Sequence, residues 1–310
     1  MGTPPYAASI LKRIISSSHD VVGVFTKPDK TSGRSKKLIP SPVKEVALDY
    51  NIPLFQPNDL KNNQIIKTHL GKMNAEVAIV VAYGLILPYS ILSAFPFGCL
   101  NVHPSLLPKY RGPSPISTSI LNGDSITGIT IIKLDLEIDS GPILAQHKVP
   151  IEKNEKCDSL TTRLFNISYT AINEVITNLE KSIPNEKKQS HKDATYTKKL
   201  HRSDGLINWH KPANEIFNMM RAYHPWPGAY TSLNGKTLKI IESEILNMKS
   251  NTHLVPGKVT VADEVFVETG NGILKLITIQ LEGKTPMRAK DFSNGNLNFN
   301  KSILGNSLAP

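Results

Sequence analysis

Cysteine is scarce in this chain. Only Cys99 and Cys157 occur in 310 residues, too few for a disulfide framework or a zinc site. Long apolar runs are absent as well: nowhere do about 18 uninterrupted apolar residues occur, so no helix spans a membrane. Residues 1–5 (Met-Gly-Thr-Pro-Pro) lack the basic and apolar regions of a secretion signal. No Gly-x-Ser-x-Gly elbow or other activated-nucleophile motif is present, so no covalent enzyme intermediate is called for. The expectation is a soluble, cytoplasmic protein without a metal.

What is present supports a sizeable core. The chain is long enough for two domains, with 40% hydrophobic and 20% charged residues. Its net charge of +10 is unevenly placed. Residues 184–310 hold 17 Lys/Arg against 11 Asp/Glu, and residues 1–183 hold 19 against 15. Residues 26–44 alone contain Lys27, Lys30, Arg34, Lys36, Lys37 and Lys44 against one acid, Asp29. Concentrated basic charge of this kind suits a polyanionic partner, although it also suits an ordinary solvated loop.

The hydrophobic pattern alternates between periods. Apolar spacing predicts helices over 6–17, 43–49, 64–73 and 159–181, and strands over 21–25, 52–55, 127–134 and 142–151. Residues 77–81 are continuously apolar, the pattern of a strand buried on both faces of a parallel sheet. This βα alternation predicts a doubly wound, Rossmann-like α/β domain over 1–183. A βα unit needs a strand ahead of its glycine turn, yet the turn here begins at residue 2, so the expected first strand lies upstream of Met1. The polar stretch 184–203 reads as a linker. Beyond it, over 204–310, a helix at 213–223 leads into short strand-like runs at 228–233, 237–241, 257–261, 265–269 and 272–280. Asn234-Gly235 and Asn271-Gly272 mark turns between them. That pattern predicts a small OB-like barrel.

Chemistry concentrates around residue 100. If residues 100–103 form a strand, period two places Asn101 and His103 on one side and Val102 on the other. Pro104 biases His103 towards an extended backbone. Residues 134–141 then offer Asp135, Glu137 and Asp139 in a loop between two strands. An amide, an imidazole and a carboxylate suit acyl transfer to an amine. The amine must lose a proton, an oxyanion must be stabilised and a leaving nitrogen protonated.

The run Asn101-Val102-His103-Pro104-Ser105-Leu106-Leu107-Pro108-Lys109-Tyr110-Arg111-Gly112, followed by Thr127-Gly128-Ile129-Thr130 and Asp139-Ser140-Gly141, resembles the signature of the folate-dependent formyltransferases. The resemblance implies a catalytic trio of Asn101, His103 and Asp139. It implies a folate-binding turn at Ser105, Leu106, Leu107 and Pro108. The other folate wall is implied at Tyr83, Gly84, Leu85, Ile86, Leu87 and Pro88, through their backbone. The formyl donor implied is 10-formyltetrahydrofolate.

Residues 25–30 and 33–44 are similar to the insertion loop of the tRNA-formylating branch, which implies that Arg34, Lys36 and Lys37 meet the acceptor end of tRNA. Ala222-Tyr223-His224-Pro225-Trp226-Pro227-Gly228 resembles a marker of that branch's C-terminal domain, and Trp226 is expected in its core. The acceptor implied is initiator methionyl-tRNA, the function a step in translation initiation, and the enzyme a monomer. The chain departs from the family in its absent first strand and in Pro104, where many relatives carry a smaller residue. Two rivals stay open on sequence alone: a formyltransferase for sugar nucleotides or other small amines, and a tRNA-binding protein without catalysis.

Overall fold

The structure, a computed structural model, describes residues 1–32, 37–61, 64–183, 185–246 and 254–305. The chain divides into two units, Met1–Pro115 with Ile126–Pro150 and Thr161–Thr197, and Ile116–Ser125 with Ile151–Leu160 and Lys198–Pro310.

The elements follow in chain order. The first are α1 (Pro5–Ile15), β1 (Val24–Phe25), β2 (Lys30–Ser32), β3 (Lys37–Ile39), α2 (Pro42–Asp49), β4 (Leu54–Phe55) and α3 (Gln64–Lys72). Next come β5 (Ala78–Val80), α4 (Tyr89–Leu92), β6 (Cys99–His103), α5 (Pro115–Leu121), β7 (Ile126–Lys133), β8 (Ile143–Pro150), α6 (Cys157–Thr177) and α7 (Leu179–Ser182). Local chemistry explains several of them. Pro5 opens α1, whose Ala7, Ala8, Ile10 and Ile14 form the buried stripe of an amphipathic helix. Ser41 caps α2 by accepting the N–H of Lys44, with Pro42 in the first helical turn.

The first unit is a Rossmann-like α/β domain, and its main sheet is mixed rather than wholly parallel. Strand β5 pairs parallel with β6, but β7 and β8 return antiparallel in the order β5-β6-β7-β8. A second parallel pair joins β1 to β4. Between β1 and β5, Met1 and Gly2 sit in a strand-like position. The Gly2 N–H donates to the Phe25 carbonyl at 3.0 Å and the Val81 N–H to the Met1 carbonyl at 2.9 Å. A cavity of about 930 Å³ continues from there along both strands, lined by Gly23, Val24, Ala78 and Ile79 among others. The α-amino group of Met1 donates to the Ile79 carbonyl at 2.7 Å, and burial lowers its pKa to about 6.

The second unit is β-rich. It contains α8 (Ala213–Ala222), β9 (Ala229–Leu233), β10 (Lys236–Leu246), β11 (Val259–Val261), β12 (Val265–Glu268), β13 (Ile273–Leu281), β14 (Met287–Arg288) and α9 (Ala289–Gly295). The antiparallel sheet runs β11-β12-β13-β10-β9, with β14 added on β13. The turn between β9 and β10 is Asn234-Gly235 with φ of 50° and 76°, the positive-φ pair that Asn-Gly favours in a two-residue hairpin. The core gathers Leu238, Ile240, Val265, Leu274 and Ile279 against Ile216 of α8 and Phe292 of α9. Trp226 corrects the sequence expectation: it is 56% exposed, and Trp209 is the buried indole, donating to Thr231 Oγ1 at 3.0 Å. The expectation failed because Pro225 and Pro227 flank Trp226 in the segment between α8 and β9, outside the alternation of either element.

Candidate active site

Strands β5 and β6 are parallel neighbours, so the loops that follow them, residues 81–88 and 104–112, leave the same carboxyl edge of the sheet. That edge is where open α/β sheets bind ligands. On β6 the side chains of Asn101 and His103 fall on one face by strand alternation. The loop after β7, residues 134–142, folds back over that face and brings Asp139 to them.

Asp139 is the hub. Its Oδ2 accepts the backbone N–H of Gly112 at 2.8 Å and lies 3.6 Å from His103 Nδ1. Its Oδ1 accepts from Asn101 Nδ2 across 3.4 Å. His103 is buried, and its Nε2 lies 2.9 Å from the Tyr110 carbonyl. A carbonyl only accepts, so Nε2 carries hydrogen, and Nδ1 gains one only in the imidazolium form. Nδ1 is the nitrogen that faces Asp139. Asp135 and Glu137, the other carboxylates of the loop, are exposed to solvent.

The implied folate segments are held from beneath. Thr130, opposite His103 in the β6–β7 register, donates to the Ser105 carbonyl at 2.6 Å, and its oxygen accepts the Leu107 N–H at 3.2 Å. Gln146 on β8 donates to the Leu107 carbonyl at 3.0 Å and to Thr130 Oγ1 at 2.9 Å. Ser105 and Leu107 are buried, whereas Leu106 and Pro108 are partly open. In the opposite wall the side chains of Tyr83 and Leu87 point into the core, while Gly84 and Ile86 are exposed and Leu85 and Pro88 half-buried. Burial pushes the Tyr83 phenol up to about 12, which keeps it neutral. Ala82, Gly84 and Ile86 are the exposed residues of this segment.

Of the implied tRNA contacts, Arg34 and Lys36 lie outside the described residues. Lys37 begins β3, which pairs antiparallel with β2 in the register Ser32↔Lys37 and Lys30↔Ile39. At the base of this hairpin Lys44 Nζ meets Asp29 Oδ2 at 2.6 Å, and Gln56 donates to Asp29 Oδ1 at 2.8 Å. The Asp29 carboxyl is held below its ordinary value, first by the Gln56 hydrogen bond and then by Lys44.

Several residues that organise this site had no role assigned from the sequence: Arg111, Gly112 and Thr130, which stand in the quoted signature, and Gln146 and Gln189, which do not. Gly112 has a φ of 105°, and a Cβ there would meet Thr197 Oγ1 at 2.9 Å. Thr130 and Gln146 had one faint signal, a polar residue inside a strand that otherwise reads as buried or half-buried. Gln189 had none, since it falls in the polar stretch read as a linker. Residues 185–197 of that stretch belong to the first unit and bond to the loop at residues 108–114.

Over residues 1–176 the chain matches the formyl transferase family, and over 199–297 the formyl transferase C-terminal domain. It is 41% identical over 297 residues to the methionyl-tRNA formyltransferase of Roseiflexus sp. (strain RS-1), spanning 95% of this chain and 91% of the relative. The methionyl-tRNA formyltransferase of Alkaliphilus oremlandii (strain OhILAs) is 39% identical over 307 residues, 98% of each chain. Among solved structures, the sugar 3N-formyl transferase WlaRD, determined with dTDP and 5-N-formyl-THF, superposes with a TM-score of 0.64. Its identity is 22%, over 92% of this chain and 97% of that one. HypX from Aquifex aeolicus in complex with tetrahydrofolic acid gives a TM-score of 0.57 at 15% identity, over 82% of this chain and 44% of that one. These two structural likenesses bear on the fold.

Proposed function

The chain belongs to the formyl transferase family, among its methionyl-tRNA formyltransferases, and from that premise we propose how its own residues carry the reaction. It transfers the formyl group of 10-formyltetrahydrofolate to the amino group of methionyl-tRNA in translation initiation. The observation that carries the mechanism is the convergence of Asn101, His103 and Gly112 on the carboxylate of Asp139.

Bound folate supplies an electrophilic formyl carbon. The walls at Tyr83, Gly84, Leu85, Ile86, Leu87, Pro88 and at Ser105, Leu106, Leu107, Pro108 hold it, largely through backbone groups. Asn101 Nδ2 and the imidazolium Nδ1–H of His103 then donate to the formyl oxygen as negative charge develops there. Asp139 fixes both donors and accepts the proton that the attacking amine loses, directly or through a water; that proton returns to the leaving folate nitrogen as its bond to the formyl carbon breaks and tetrahydrofolate departs.

Arg34, Lys36 and Lys37 meet the phosphates of the acceptor end, and the β-rich unit takes more of the tRNA. We read that unit as OB-like, because its long β10 carries register shifts at Glu242 that bend a sheet towards closure. The enzyme works in this reading as a cytoplasmic monomer. No helix among the described residues is long and apolar enough to cross a membrane.

Acceptor competition tests the assignment against the sugar-directed rival. Methionyl-tRNA should be formylated from 10-formyltetrahydrofolate at a kcat/KM at least about a thousandfold above that for an amino-sugar nucleotide. Preference for the sugar would overturn the assignment.

A further inference from the structure

Asp139 carries its carboxylate on a backbone with φ of 49°. A non-glycine residue holds that conformation at a cost in free energy, and only where its surroundings fix it. Its neighbours in the loop, Asp135, Leu136, Glu137 and Ile138, are exposed, so the hold comes from elsewhere. It comes from Gln189. The Gln189 Nε2 donates to the Asp139 carbonyl at 2.8 Å and to the Gly141 carbonyl at 2.7 Å. Its Oε1 accepts from Arg111 Nε at 3.1 Å and from Arg111 Nη2 at 2.8 Å. Two carbonyls cannot donate and a guanidinium cannot accept, so these partners fix the orientation of the amide.

Arg111 is itself completely buried. It belongs to the loop whose next residue, Gly112, donates to Asp139 Oδ2. Its Nη1 donates to the Tyr196 hydroxyl at 3.2 Å, its N–H to the Thr195 carbonyl at 2.8 Å, and its carbonyl accepts from Thr197 at 2.8 Å. One side chain thus ties the loop that carries the carboxylate to the loop that carries its hydrogen-bond donor.

We infer that Gln189 is a positioning residue for the formyl transfer, acting through Asp139, with Arg111 as its buried anchor. The inference rests on the catalytic reading of Asp139. Glutamate separates the two halves of the role. Gln189→Glu keeps an oxygen for Arg111 and so keeps the anchor, but it sets a carboxylate oxygen against the Asp139 and Gly141 carbonyls. A loop shift on the order of 1 Å costs roughly a hundredfold in rate.

The test is a double-mutant cycle on the full chain with Asp139→Asn, reading kcat, both KM values and thermal unfolding. Gln189→Glu should lose about 10- to 100-fold in kcat while both KM values hold, with a lower unfolding midpoint from the two carbonyls left without a donor. In the Asp139→Asn background the same change should cost less than about threefold, because the group it positions is gone. A role confined to folding would also lower the midpoint but give equal losses in both backgrounds, which overturns the inference. So does a stable Gln189→Glu enzyme with wild-type kcat. If Gln189→Glu does not fold, Tyr196→Phe decides: it removes one bond of the anchor at an exposed residue. A kcat several-fold down at unchanged KM supports the inference, and an unchanged kcat overturns it. An Asp139→Asn enzyme at full speed instead removes the catalytic reading itself.

Discussion

Gly112 and Asp139 are 27 residues apart in sequence, yet the backbone N–H of one donates to the carboxylate of the other at 2.8 Å. The same oxygen, Oδ2, faces His103 Nδ1 at 3.6 Å. The contact makes a loop backbone part of the electrostatics of the site: a fixed N–H dipole holds the carboxylate beside the imidazole without competing for a proton. It also sets a constraint that only a small residue meets, since a Cβ at position 112 would press on Thr197 Oγ1 and on the Thr197 carbonyl at 3.1 Å.

Gly112→Ala should therefore cost stability and rate together. The strained φ of 105° and the contact with residue 197 predict a loss of about 1–3 kcal/mol in unfolding free energy. Because the donor to Asp139 moves with the backbone, kcat should fall about tenfold or more. Denaturant unfolding and steady-state kinetics on the same preparation check both, and an alanine enzyme with wild-type stability and kcat contradicts the contact.

Thr130 and Gln146 support the turn at residues 105–108 rather than the trio. Gln146→Leu removes the donors to the Leu107 carbonyl and to Thr130 Oγ1, leaving buried acceptors short of a partner at a cost of about 1–3 kcal/mol. Part of that cost should appear as weaker folate binding, with KM for 10-formyltetrahydrofolate raised about 5- to 20-fold and KM for tRNA unchanged. A variant whose tRNA KM rises instead would place this turn against the other substrate.

The Asp29–Lys44 pair anchors the basic hairpin. Asp29→Ala should raise KM for tRNA and leave KM for folate alone, with the effect read from formylation at several salt concentrations. The pH sign follows from the lowered carboxyl. A depressed pKa gives stabilisation that is complete above the ordinary value of 3.8 and is lost as pH falls below it through the folded value. Between pH 6 and 9, on the order of the range in which such enzymes are assayed, the pair stays ionised and tRNA binding should not vary on its account. A KM for tRNA that follows Asp29 within that window would refute the anchor.

The two-unit plan was open to a reader of the sequence because periodicity marks buried faces. Residues 77–81 gave β5, residues 142–151 gave β8, and Asn234-Gly235 gave the turn between β9 and β10. Asn101 and His103 were legible through their spacing on one strand, and Asp139 through the resemblance. Antiparallel return of β7 was not legible, because a strand buried on both faces looks the same in either direction. The pairing of Arg111 with Gln189 was hidden for a different reason. A buried polar pair 78 residues apart leaves no periodic trace, and Gln189 is set among residues 185–193 of otherwise exposed, polar character. The position of Trp226 was missed because prolines on both sides remove it from any pattern.

The central claim is that the Asp139 carboxylate drives formyl transfer through the groups it holds. The side-chain carbonyl introduced by Asp139→Asn would still accept the Gly112 N–H, while its NH2 group removes the charge and the acceptor that Oδ1 offers Asn101. Measured by formyl transfer from 10-formyltetrahydrofolate to methionyl-tRNA, this enzyme should lose about 100- to 10,000-fold in kcat with both KM values within a few-fold of wild type. A turnover close to wild type would contradict the account.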